Sequence, residues 1–169
     1  MRPPLTTVPP PFHRYVNLVQ QDDIRSAFSG QEEVMNFFRS IPSDKYDHRY
    51  AEGKWNLKEM LQHIIDAERV FCYRALVFAR KDTVELPSFD EDVYALNSNA
   101  SSRDWDDLLE EFNQLRSSSM RMFTSFNEDQ LNASGIASKN RITVLGLGYV
   151  TVGHVLHHIN VIRERYLVN

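Results

Sequence analysis

The chain has 169 residues, 42% hydrophobic and 25% charged, a composition that suits one soluble globular domain and excludes a disordered or fibrous one. Its net charge of −4 supplies no basic stripe for counterion-releasing contacts with phosphates, which argues against a nucleic-acid partner. Cys72 stands alone, no apolar run reaches membrane-spanning length, and Met1–Thr7 lacks the apolar segment of a signal peptide, so a cytoplasmic location with no membrane partner is expected.

Five of the seven prolines fall within the first eleven residues, so Met1–Phe12 reads as an extended, non-helical stretch. On this reading residues 1–16 form a proline-rich arm, set apart from a helical domain over 17–169. A first helix is predicted from about Asn17 to Ser40, with Gly30 an interruption and Ile41-Pro42-Ser43 its end. Asn56 followed by Glu59 is a capping box, and the stripe Leu57, Leu61, Ile64, Phe71, Ala75 carries a second helix to about Arg80. Lys81–Ser101 has no clear periodicity and reads as a long loop, of the kind that is functional or carries short structure. Ser101 or Ser102 is the predicted cap of a third helix reaching about Phe126. Asn127 then caps one short turn before Asn132-Ala133-Ser134-Gly135 breaks the chain. The last helix runs from about Thr143 to Leu167, where Gly146, Gly148 and Gly153 lower its propensity but let a neighbouring backbone come close. Four amphipathic segments without alternating strands predict an all-α fold, a four-helix bundle.

Three histidines carry the chemical signal. His154 and His158 are four apart on the last helix and share a face, and His63 on the second helix is placed to join them. Three neutral nitrogen ligands that leave coordination positions open are what catalytic zinc sites use. His154 with His157 is the competing pair. The face around His158 continues through Leu147, Thr151 and Val161, whereas that around His157 includes Glu164, so His158 is preferred. Asp66, three residues after His63, is the candidate catalytic group, to orient an imidazole or take a proton; an ion pair with Arg69 or Arg74 is its ordinary alternative. His13 and His48 are expected to be solvated, and Cys72 to be a small apolar side chain. Ser117-Ser118-Ser119 has no base nearby, and Leu145-Gly146-Leu147-Gly148 lacks the spacing of a phosphate loop. Phe89-Asp90-Glu91-Asp92 reads as a solvated acidic loop rather than a hard-cation site.

Several pieces together resemble the DinB/YfiT-like family, in its DinB_2 branch. They are Lys54-Trp55-Asn56-Leu57-Lys58-Glu59 leading to His63, Asp66-Ala67-Glu68-Arg69-Val70-Phe71, Tyr73-Arg74-Ala75-Leu76, Pro87 through Tyr94, and Gly153-His154 through His157-His158 to Tyr166. The resemblance implies a four-helix bundle and a divalent metal, zinc or nickel, on His63, His154 and His158, with the proline-rich arm outside the shared core. It also implies a metal-dependent enzyme acting on a small molecule. The nucleophile would be a low-molecular-weight thiol, as in bacillithiol- or mycothiol-dependent transferases and isomerases, or water, as in a hydrolase. The alternative is a non-catalytic metal-binding stress-response protein. A homodimer is expected in either case.

Overall fold

Caps and apolar stripes decide where the long helices lie. In a computed structural model describing residues 1–168, they are α4 (Leu57–Ala79), α6 (Trp105–Ser125) and α8 (Val144–Arg165). Asn56 Oδ1 accepts from the Glu59 amide at 2.8 Å, and the Asn56 amide donates to Glu59 Oε2 at 2.9 Å, the reciprocal pair the sequence predicts. Both terminal nitrogens of Arg49 also grip the Glu59 carboxylate, at 2.6 and 2.8 Å, fixing the start of α4. Thr143 caps α8 through its hydroxyl, which accepts from the Gly146 amide at 3.1 Å. Ser101 and Ser102 do not cap α6: they form a 3₁₀ turn, Ala100–Ser102, and Asp104 occupies the cap position.

The fourth side of the bundle is broken. Instead of one helix over Asn17–Ser40 there are three short ones, α1 (His13–Leu18), α2 (Ile24–Phe28) and α3 (Gln31–Arg39). Asp23 Oδ1 captures the Ser26 amide at 3.0 Å and restarts the chain as α2, and Gly30 stands at the junction with α3. α2 and α3 pack on α6, while α1 lies against α8. The long predicted loop carries α5 (Glu91–Asn97), capped by Asp90, and α7 (Glu128–Asn132) follows Asn127 with its own capping box. Ahead of α8 a hairpin joins β1 (Ser134–Ala137) to β2 (Asn140–Thr143), with Ser134 opposite Thr143 and Ala137 opposite Asn140. Its turn residues, Ser138 and Lys139, both take positive φ, as a two-residue hairpin turn requires. Strands of four residues are too short to register as alternation in the sequence.

The N-terminal segment is not an extended arm. Leu5–Thr7 and Pro10–Phe12 are 3₁₀ turns, Val8 is buried in the core, and Arg2 donates to the Val19 and Val16 carbonyls at 2.6 and 2.7 Å. His13 is likewise not simply solvated, because its Nε2 lies 3.0 and 2.8 Å from the Leu5 and Val8 carbonyls; His48 is exposed. Among the described residues no helix is long and apolar enough to cross a membrane.

The apolar interior forms two clusters. One holds the C-terminal half of α4 and the N-terminal half of α8, with Ala67, Phe71 and Val150; the other holds the opposite halves, with Leu61, Ile65, Val155 and Ile159. His63 and His154 lie at the seam between them. Gly153 makes that seam accessible to α1, since a Cβ there would stand 2.0 Å from the Tyr15 carbonyl oxygen. Gly153→Ala should therefore destabilise the protein by about 2–3 kcal/mol through a backbone clash, measured by urea denaturation. Gly30→Ala, whose Cβ meets nothing within 4 Å, should change stability by about 1 kcal/mol or less.

Candidate metal centre

A histidine on the buried face of α4 meets two on α8 because the helices pack directly against each other. His63 is 8% exposed, His154 5% and His158 9%. His154 Nε2 is 3.2 Å from His63 Nε2 and 3.1 Å from His158 Nε2. Aromatic rings fix the imidazoles: Trp55 lies against His63 at a centroid distance of 4.7 Å, and His154 takes edge contacts from Tyr15 at 5.3 Å and Phe71 at 5.7 Å.

Hydrogen bonding alone leaves this arrangement unsatisfied. Each Nε2 has either one N–H or one lone pair in the ring plane, so His154 Nε2 cannot serve both neighbours well. A cation accepts all three lone pairs at once. Tetrahedral ligands about 2.0–2.1 Å from a zinc ion are separated by roughly 3.3 Å, near the spacings found here. The ligands are also in the protonation state a metal needs. Burial pushes the His63 pKa down to about 4, and burial together with the neighbouring imidazoles holds His154 and His158 well below the usual histidine range. His158 Nδ1 is buried without a partner among the described residues. The residues present fit a divalent ion bound through three Nε2 atoms.

His157, the competing partner, stands outside the cluster and lines the cavity beside it, 5.3 Å from the Tyr15 ring. Asp66 is not brought to the histidines. It accepts from Gln62 Nε2 at 3.0 Å, lies 3.6 Å from Arg69 and borders a different cleft, toward α5. Three residues along a helix is a turn of 300°, which leaves Asp66 about 60° off the His63 direction and facing its own surface network. The acidic run also resolves locally: Asp90 caps α5 and Glu91 reaches the cavity rim, and no second group of three or more ligating side chains assembles among the described residues. Cys72 donates to Ser119 Oγ at 3.2 Å, and burial pushes its pKa up to about 12, so it is an inert thiol.

The three histidines open on a cavity of about 280 Å³. Phe12, Trp55, Phe71 and Phe89 supply its apolar wall, and Arg14, Tyr15, Arg74, Glu91 and Ser138 its polar groups. Phe89 and Glu91 come from the long Lys81–Ser101 segment read as a functional loop; sequence reasoning did not single out the other lining residues. For Arg74 a signal existed: eleven residues past His63 is within about 20° of the same helix face, as is Ala67 within about 40°. For Phe12, Arg14 and Tyr15 no local signal existed, because only the seating of α1 on Gly153 brings them in.

The model of the DinB superfamily matches residues 29–162, and the chain belongs to that superfamily. Among solved structures it is similar to YfiT from Bacillus subtilis, described as a probable metal-dependent hydrolase with an unusual four-helix bundle topology. The TM-score is 0.72 at 19% identity, covering 86% of this chain and 87% of that one. That likeness establishes the four-helix bundle fold. No curated protein matches the chain.

Purified protein reconstituted with zinc should hold about one ion per chain by elemental analysis. His63→Ala, His154→Ala and His158→Ala should each lower its affinity by two orders of magnitude or more, and His157→Ala by less than about tenfold. The pH dependence has a defined sign. An unfolded histidine takes up its proton near pH 6.5 while folded His63 does so only near 4. The unfolded state therefore binds more protons between those values, and metal-free protein should lose stability as pH falls through that window. Urea midpoints of metal-free protein at pH 7.5, 6 and 5 measure this, and a flat profile would contradict burial of neutral imidazoles.

Proposed function

We propose that this DinB-superfamily chain is a metal-dependent enzyme in which His63, His154 and His158 hold a divalent ion, zinc or nickel, that activates a nucleophile toward a small molecule. The observation that carries the reading is the meeting of three Nε2 atoms at the wall of a cavity large enough for a small molecule. A closed structural site would have taken a fourth protein ligand. When bound, the ion supplies Lewis acidity, lowering the pKa of a coordinated thiol or water.

The chain's own residues favour a thiol over water. Among the described residues no carboxylate joins the three histidines: Asp66 faces another cleft and Glu91 stands at the exposed rim. A thiol with an ordinary pKa of about 8.5 needs far less help to release its proton than water does. His157, whose pKa is lowered by burial and by Arg14, lines the same cavity. Trp55 and Phe71 line the apolar side of the cavity. The reading is thus a low-molecular-weight thiol of the bacillithiol type attacking an electrophilic substrate, a transferase reaction. Water as nucleophile is the second reading, favoured by the description of YfiT as a probable metal-dependent hydrolase. His157 or Glu91 would then have to accept its proton.

Cobalt-substituted protein tests the two together. Adding a small thiol should change the visible absorption of the ion, and an electrophile assay with and without bacillithiol should show thiol-dependent turnover that His154→Ala abolishes. Asp66→Asn should leave turnover within about twofold. Hydrolysis without thiol would select the second reading. Absence of any spectral response together with absence of turnover would leave a non-catalytic metal-binding protein.

A further inference from the structure

Arg74 is the feature of the cavity that metal chemistry leaves unexplained. Its residue exposure is 4%, among the described residues no carboxylate forms an ion pair with its guanidinium, and burial lowers its pKa. Nη2 donates to the Pro87 carbonyl at 2.8 Å and to Ser138 Oγ at 3.1 Å, holding the Pro87 loop and the hairpin turn to α4. Nε and Nη1 make no hydrogen bond and are not sealed within the protein, so they face the cavity that Arg74 lines. A clamp needs only the first two contacts, and a neutral side chain could supply them. A charged group almost wholly buried, with its remaining donors open to a ligand-sized space, costs free energy that an anion there would offset. The wall around it supports the same conclusion: Phe89 sits under the guanidinium at 6.0 Å, and Arg14 adds a second positive charge near His157 and His158.

Resting on the metal-site reading above, we propose that Arg74 is a specificity-determining residue that binds an oxyanion, a carboxylate or phosphate group, at the end of the substrate or thiol remote from the metal. His63 and Arg74 share one face of α4, about 16 Å apart along the axis by Cα rise. Long helical side chains lean toward the N-terminus, so Arg74 reaches back toward the histidines. The ligand is therefore an elongated small molecule with an apolar middle against Phe71 and Phe89, a reacting group at the ion and an anionic group on Arg74.

The test uses zinc- and cobalt-loaded protein with 6-mercaptohexanoate and its neutral counterpart 6-mercaptohexanamide, whose chains are long enough to bridge the two ends. Calorimetry on wild type should show the acid binding about tenfold or more tighter than the amide, the scale of a charge-assisted pair. Arg74→Gln should bring the two within about twofold, and Arg74→Lys should keep part of the preference. Metal stoichiometry should be unchanged in both variants. The wild-type Arg74 Nε–H resonance should shift with the acid and not with the amide, a readout that decides the matter alone if Arg74→Gln fails to fold. An unmoved resonance at saturating acid, or an acid preference that survives in Arg74→Gln, overturns the proposal. An Nε–H shift without any change in the cobalt spectrum keeps Arg74 as the anion site and overturns only the metal-activated thiol.

Discussion

Everything at the site depends on the direct packing of α4 on α8, two helices that each carry polar side chains into the middle of the bundle. Between the two apolar clusters runs a polar layer: the three histidines toward the cavity and, deeper, Glu68 and Arg116. Arg116 Nη2 lies 2.7 Å from Glu68 Oε2, with the two side chains 5% and 2% exposed. Burial raises the Glu68 pKa and the neighbouring guanidinium works against that rise. A buried pair of this kind is weak evidence of stability, because desolvation consumes most of the Coulombic gain. Its effect is positional. Glu68 is five residues beyond His63, and the same Nη2 of Arg116, from α6, also donates to the Thr151 carbonyl of α8, at 3.5 Å, three residues before His154. Sliding or rotating α4 against α6 would leave a charge unpaired in the core, so the pair fixes the register of the helix that carries His63.

The second constraint is the seating of the N-terminal segment. Gly146 and Gly153 strip one face of α8 of side chains, where Val8 and the Tyr15 backbone occupy the space, and Gly148 on the opposite side makes room for Ile24. That contact turns residues outside the matched family range into a wall of the cavity, since Phe12, Arg14 and Tyr15 all border it. Tyr15 does two things at once. Its backbone rests on Gly153, and its ring presents an edge to His154 while its hydroxyl accepts from Arg14 at 2.7 Å. The orientation of one histidine is thereby linked to the docking of the segment that partly closes the cavity.

What was legible in the sequence was local. The Asn56–Glu59 capping box marks the start of α4 because such caps are made by residues three apart in sequence, and the last helix reads from about Thr143, the residue that caps α8. The i,i+4 spacing of His154 and His158 is likewise a property of one helix, and apolar neighbours were enough to prefer His158 over His157. The breaks among α1, α2 and α3 were harder to see, because Asp23 and Gly30 compete with a stripe that would continue as helix. The 3₁₀ turns of the first twelve residues were not legible at all. Proline excludes α-helix there but leaves φ suited to either conformation, and contacts made more than a hundred residues later decide. Asp66 shows the limit of proximity along a helix: 60° of rotation moved it from the candidate site to a surface network with Gln62 and Arg69.

Charge connects these features to what the cavity can admit. Imidazoles buried and neutral donate no negative charge, so an ion they hold keeps its full positive charge, unlike one bound by carboxylates or thiolates. Arg14 and Arg74 add to it, and Glu91 at the rim is the opposing group. The chain as a whole carries a net charge of −4, so this positive interior is a local construction and not a reflection of composition. Low-dielectric walls from Trp55, Phe71 and Phe89 concentrate the field within it. Under the proposed function, such a site would favour the deprotonated form of the nucleophile and disfavour cationic molecules of the same size. Its selectivity would then be set first by charge and only then by the shape of the aromatic wall.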